Sequence, residues 1–288
     1  INKLNAAAGE IIVTREFNKI QMIPPGIVRK IAINDKGLKL QETELSWYKS
    51  LDEIWPPYQT ISVPRILETR ANSFDMEHVA GTPVFEHEYH EDLLNVVVST
   101  VKNLHSAQSI KVSLNKLNTD IIKETTEKTA FRFDVIKEML SGFPTIESVN
   151  GVEIRSSKEL MEIIAQRILE IITDKADDNG EFEYVTIHGD PNFSNILAEH
   201  KLDFFWAKMI DPRGYFGDTK LYGLKSYDYG KILYACTGYD KFNADPAFVI
   251  DNISSVGNLQ NLEVTIPQWH DVFKNNNEVF TEEAYLWM

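Results

Sequence analysis

Over its first eighty residues the chain alternates short apolar or β-branched runs with turn residues, the pattern of strands. Glu10 to Arg15 and Lys19 to Ile23 are two such runs, and Pro24-Pro25-Gly26 is a turn. Ile27 to Ile33 then alternates, with Ile27, Arg29, Ile31 and Ile33 on one face and Val28, Lys30 and Ala32 on the other. Asn34-Asp35-Lys36-Gly37 reads as a further turn. From Leu40 to Ile54 the period changes. Leu40, Glu44, Trp47, Tyr48 and Leu51 recur at intervals of three and four, which predicts a helix stopped by Trp55-Pro56-Pro57. Val63 to Glu68 and Ser73 to Glu77 predict two more strands, and Gly81-Thr82-Pro83 follows the second.

From about residue 90 the pattern is helical. Leu93 to Leu104, Asn118 to Leu140 and Ser157 to Asp174 are long periodic runs, the last with Ser157 as a capping start. The acidic run Asp174 to Glu183 reads as a solvated loop, and Phe182 to His188 as a strand that leads into a polar loop. Ser226 to Cys236 and Asp271 to Met288 are expected to be the closing helices. The layout is therefore α+β. A β-rich N-terminal lobe is expected over residues 1–80 and a mostly helical C-terminal lobe over 81–288.

With 288 residues and 43% hydrophobic content, the chain can bury a sizeable core as one large domain or two lobes. The formal net charge of -14, with no Lys/Arg block, argues against a nucleic-acid partner. Cys236 is the only cysteine, which excludes an internal disulfide and a cysteine-rich zinc site. Its apolar surroundings, Ile232-Leu233-Tyr234-Ala235, predict a buried thiol. No apolar stretch reaches membrane-spanning length and no signal peptide is visible, so a cytoplasmic address is expected.

The chemistry is concentrated in Ile187-His188-Gly189-Asp190-Pro191-Asn192-Phe193-Ser194-Asn195-Ile196-Leu197, followed one β-hairpin later by Met209-Ile210-Asp211-Pro212. Phosphoryl transfer needs a carboxylate for the proton of the attacking hydroxyl, then an amide oxygen and a second carboxylate for the metal that grips the phosphates. Asp190, Asn195 and Asp211 supply these groups in that order. Each residue alone has a bland explanation: Asp-Pro-Asn is good turn chemistry, and an Asp before Pro caps turns. Together at this spacing they favour the catalytic reading.

Protein kinases use H-R-D-x-x-x-x-N followed by D-F-G for these tasks. Here Gly189 replaces the Arg, and Asp211-Pro212-Arg213 replaces D-F-G. That variant resembles the aminoglycoside phosphotransferase and choline kinase family, the protein-kinase-like small-molecule kinases. The resemblance spans most of residues 10 to 240 and is specific around 187–212 and 227–236.

It implies a two-lobed kinase-like fold, ATP and Mg²⁺ as cofactors, and a small-molecule acceptor such as a sugar, an amino sugar or a choline-like amino alcohol. It implies Asp190 as the catalytic base and Asn195 and Asp211 as metal ligands, with His188 as a structural brace. Lys30 resembles the phosphate-anchoring Lys and Glu44 its partner; Arg29 and Glu42 are the rivals for these places. Met76-Glu77-His78-Val79-Ala80-Gly81 resembles the inter-lobe linker, where Glu77 and Val79 would meet the adenine through backbone atoms. Arg213 and Asp218 are substrate-side candidates, with Lys220 and Lys225 nearby in sequence. Asp228 resembles a structural residue at a helix start. No G-x-G-x-x-G is present; Asn5-Ala6-Ala7-Ala8-Gly9 is small and flexible enough to cover phosphates, and reads equally as a disordered chain end. That weak loop, and an Ile at position 1, leave a nucleotide-binding regulatory (pseudokinase) domain as the second reading. A protein kinase is a third, disfavoured by Gly189.

Overall fold

The computed structural model describes residues 10–14, 16–55, 62–140, 146–244, 250–256, 259–264 and 279–288. The chain divides into two compact units: Ile1–Gln108 with Thr186–Gly214, and Ser109–Val185 with Tyr215–Met288. The first joins the N-terminal sheet to the segment that carries the motif.

In the first unit, β1 (Glu10–Thr14), β2 (Asn18–Ile23), β3 (Ile27–Ala32), β4 (Ile66–Thr69) and β5 (Ser73–Glu77) form an antiparallel sheet in the order β1-β2-β3-β5-β4. Four strands lie within a residue of where the alternation puts them; β4 begins at Ile66, three residues after the expected Val63. β3 pairs with β5 so that Arg29 faces Asp75 and Lys30 faces Phe74 in the register. Arg29 grips Asp75 with two bonds, Nε to Oδ1 at 2.6 Å and a second guanidinium nitrogen to Oδ2 at 2.9 Å. Helix α1 (Asp35–Ile54) begins five residues earlier than the periodicity suggests, because Asn34 is its N-cap: the side chain accepts from Gly37 N–H at 2.9 Å. At Gly37 a Cβ would lie 2.1 Å from the Phe17 carbonyl oxygen, so only glycine lets this first turn pack on the sheet. Gly37 sets the phase of the buried stripe, which runs through Gln41, Glu44, Trp47, Tyr48 and Leu51; Leu40, expected inside, is 46% exposed.

Helix α2 (Glu91–His105) buries Leu93, Leu94, Val97, Val98, Val101 and Leu104, each worth about 2 kcal/mol of hydrophobic stabilisation. It packs on β12 (Phe204–Met209) of a three-stranded sheet with β11 (Ile196–Lys201) and β6 (Thr82–Pro83). The β11–β12 hairpin pairs Ile196 with Met209, and Ile210 N–H donates to the Asn195 carbonyl at 2.8 Å. The two motif loops therefore leave the same end of one hairpin.

In the second unit, β7 (Ser109–Ser113), β10 (Glu181–Thr186) and β13 (Tyr222–Gly223) form a three-stranded sheet. The expected single helix over 118–140 is interrupted: α3 (Leu114–Ile122) and α4 (Lys128–Leu140) flank a π-helical turn at Lys123–Glu127. Within it Glu124 accepts from Gly217 N–H at 3.1 Å and from the Tyr227 hydroxyl at 2.9 Å. Helix α5 (Ser157–Thr173) is capped by Ser156, one residue before the expected Ser157. The chain also forms a sheet that the pattern does not announce, in the order β14 (Ile250–Val256), β15 (Leu259–Val264), β8 (Ser148–Val149), β9 (Val152–Glu153). Helix α6 (Lys225–Cys236) buries Cys236 completely, and burial pushes its thiol well above the ordinary range. Short helices α7 (Tyr239–Ala244) and α8 (Glu282–Trp287) follow; residues 271–278 of the expected last helix lie outside the described ones.

Candidate active site

Three charged groups meet in the first unit. Lys30 Nζ, on β3, lies 2.7 Å from Glu44 Oε2 on α1 and 2.7 Å from Asp211 Oδ1 in the loop after β12. Lys30 is 8% exposed and Glu44 5%. Burial alone would depress the ammonium, but the Asp211 and Glu44 carboxylates outweigh it and hold Lys30 above its usual range. The register of β3 thus puts Lys30, and not Arg29, against the helix carboxylate. Tyr48, one turn after Glu44, is buried beside the same charges; burial first, then Glu44 and Asp211, push its hydroxyl up.

The motif loops are tied to each other through His188, which is fully buried. Its Nδ1 accepts from Asp190 N–H at 3.3 Å, so the proton belongs on Nε2, which donates to the Ile210 carbonyl at 3.0 Å. The His188 carbonyl accepts from the amides of Arg213, at 3.0 Å, and Gly214, at 3.1 Å. Gly189 has φ +83°, a left-handed conformation that favours glycine and would strain the Arg found there in protein kinases. Asp190 Oδ1 accepts from Asn192 Nδ2 at 3.2 Å. Asn195 Nδ2 donates to the Asp190 carbonyl at 3.0 Å, which fixes the amide and turns its Oδ1, a hard oxygen donor, the other way. Asp211 sits at φ +56°, a conformation that costs a non-glycine residue about 1 kcal/mol or more. Strain retained at the residue that also binds Lys30 is the kind that functional sites keep.

Helix α1 joins this assembly a second time through a residue that the pattern marks only as core. Trp47 Nε1 donates to the Ile187 carbonyl at 2.9 Å, and the indole stacks edge-on to His188 with ring centroids 6.0 Å apart. Trp47 lies three residues after Glu44, so one helical face holds both Lys30 and the motif loop. Gly214, at φ +67°, packs against it: a Cβ there would lie 2.7 Å from the Trp47 ring.

The other sequence-expected residues fall as follows. Glu77 ends β5; its N–H donates to the Arg65 carbonyl at 2.9 Å, and its carboxylate takes Lys208 Nζ at 3.2 Å to both oxygens. Lys208, on β12, is a partner that no motif flags. Val79 is buried at 5% exposure. Arg213 is in the first unit with the motif. Asp218 and Asp228 are in the second. Asp218 pairs with Lys123 at 2.6 Å, and its N–H donates to the buried Asp120 at 3.0 Å. Asp228 is fully buried in the first turn of α6, inside the helix; the N-cap position itself falls on Leu224. Lys220 and Lys225 are exposed. Asn5 to Gly9 lies outside the described residues.

Among the described residues no three His, Cys, Asp or Glu side chains gather into a metal cage. Asn195 and Asp211 are oxygen donors held by adjoining backbone, and Mg²⁺ suits one or two such ligands completed by phosphate oxygens and water. The donor set fits that ion. No helix of the described residues is long and apolar enough to cross a membrane.

No protein-family model and no curated protein sequence matches the chain. Solved structures do. Aminoglycoside-3'-phosphotransferase of type VIII is 16% identical, covers 98% of this chain and 92% of its own, and gives a TM-score of 0.50. The ternary complex of APH(2")-IIa with streptomycin and ATP is also 16% identical, with 80% and 71% covered and a TM-score of 0.48. A choline/ethanolamine kinase family protein from Mesorhizobium loti is 13% identical, with 84% and 67% covered and a TM-score of 0.43. At such identities the likeness is one of fold. The chain has the mixed α+β fold of the aminoglycoside phosphotransferases, β-rich at the N-terminus and more helical towards the C-terminus.

Proposed function

We propose that this protein is an ATP- and Mg²⁺-dependent phosphotransferase that acts on a hydroxyl of a small metabolite. The observation that carries the reading is Lys30 held at 2.7 Å from both Glu44 and Asp211, in a unit where His188 ties the Asp211 loop to the Asp190 loop. A stability-driven core has no need of this arrangement, since buried ion pairs are seldom better than apolar contacts.

In this reading Asp190 orients the acceptor hydroxyl and takes its proton. Lys30, steadied by Glu44, holds phosphate oxygens. Asn195 Oδ1 and Asp211 hold Mg²⁺, which neutralises charge on the phosphates when bound. The backbone of Glu77 and Val79 receives the adenine. Arg213, in the same unit as the motif, faces the acceptor. His188 and Trp47 keep the loops in place. Positioning and electrostatics supply most of the rate enhancement, because phosphoryl transfer leaves little covalent work to the protein. The acceptor is a sugar, an amino sugar or a choline-like amino alcohol.

The reading is tested by ATP consumption with choline, ethanolamine, aminoglycosides, hexoses and sugar phosphates, each with Mg²⁺ and with EDTA. Mg²⁺-dependent turnover on one of them is expected. ATP binding without turnover on any acceptor would instead favour a regulatory nucleotide-binding domain.

A further inference from the structure

Asn192 lies two residues after Asp190 and is 7% exposed. The two ends of its amide have unlike surroundings. Nδ2 donates to Asp190 Oδ1 at 3.2 Å. Oδ1 is buried and meets no donor among the described residues. An acceptor buried in that way costs about 1–3 kcal/mol, and an apolar side chain of similar size would avoid the cost. Stability alone therefore gives no reason for an amide here; the bond to the carboxylate does.

We propose that Asn192 is a positioning residue for Asp190. It holds Oδ1 and so sets the direction of the carboxylate that takes the acceptor's proton. The inference rests on the phosphotransferase reading of this loop. The backbone favours the role. Asn192 N–H donates to the Asp190 carbonyl at 2.8 Å, and the Asn192 carbonyl accepts from Asn195 N–H at 2.9 Å. The amide is thus anchored on a tight turn beside the carboxylate that it holds. The last torsion of a carboxylate is broad and roughly two-fold, so each bond to an oxygen narrows it. Fixing it removes a freedom that the reacting geometry does not tolerate, since small misplacements cost about a hundredfold in rate.

The test uses the full chain, with the acceptor that the panel identifies. Asn192→Leu removes both the donor and the stranded acceptor; Asn192→Asp keeps the shape, removes the donor and adds a like charge beside Asp190. Asn192→Leu is expected to melt at or above the wild-type temperature, while kcat falls about a hundredfold and KM for ATP stays within about threefold. Asn192→Asp is expected to lose at least as much kcat. A purely structural role would give the reverse: a lower melting temperature with kcat retained. Wild-type kcat in a well-folded Asn192→Leu protein would overturn the proposal and leave the phosphotransferase reading standing. Absence of turnover by the wild type on every acceptor would overturn both.

Discussion

Lys30 is held by two carboxylates in a buried place, and its removal leaves those carboxylates facing each other. Lys30→Met keeps the chain length and loses the charge. Its expected cost is about 3–5 kcal/mol in urea unfolding, the usual penalty for breaking a buried pair on one side. An unchanged urea midpoint would show that Glu44 and Asp211 do not depend on Lys30. Asp75 gives a pH prediction on the same sheet. The Arg29 guanidinium beside it, joined by Arg70, holds its carboxyl down at about 2, against an ordinary 3.8. A folded-state value below the unfolded one means stability that is fully present above the unfolded value and lost as pH falls towards the folded one. Asp75→Asn should therefore flatten the decline of melting temperature between about pH 4 and pH 2. An identical decline in the variant would assign it to other carboxylates.

Helix α1 carries Glu44 and Trp47 on one face, so it couples the sheet to the motif loop. Trp47→Phe retains the ring packing and strands the Ile187 carbonyl. A loss of about 1–3 kcal/mol is expected by thermal unfolding, and no loss would mean that water replaces the indole. Gly214→Ala is expected to destabilise as well, through its left-handed backbone and the Trp47 ring 2.7 Å from the added carbon. The amphipathic face of α1, the strands of the first sheet and the buried Cys236 were legible in the sequence, because local period and composition decide them. The inward turn of Gln41 in place of Leu40 was not, since it follows from the phase set by Asn34 and Gly37. Nor was the bond from Trp47 to Ile187, whose partners are 140 residues apart. The β14–β15–β8–β9 sheet escaped for a similar reason. Its two longer strands carry polar residues such as Asn252, Ser254 and Asn261, and the pairing of β15 with β8 joins segments more than a hundred residues apart.

At the scale of the whole molecule, the order of Asp190, Asn195 and Asp211 was enough to suggest the kinase-like fold, although the chain is only 16% identical to a structure that shares it. The acceptor was not legible, because no fixed spacing defines the side chains that would read it. A net charge of -14 makes an added polyphosphate unwelcome unless a metal accompanies it. ATP with Mg²⁺ should therefore raise the melting temperature, and ATP with EDTA should raise it much less. Equal shifts would argue against a metal held by Asn195 and Asp211. The most direct measurement is Mg²⁺-dependent ATP turnover by the wild type and by Asp190→Ala, with ATP binding followed in both. Turnover that collapses by about a thousandfold or more while ATP binding survives is the expected result, as for loss of a catalytic base. Undiminished turnover in Asp190→Ala would contradict the assignment of the base and the mechanism built on it.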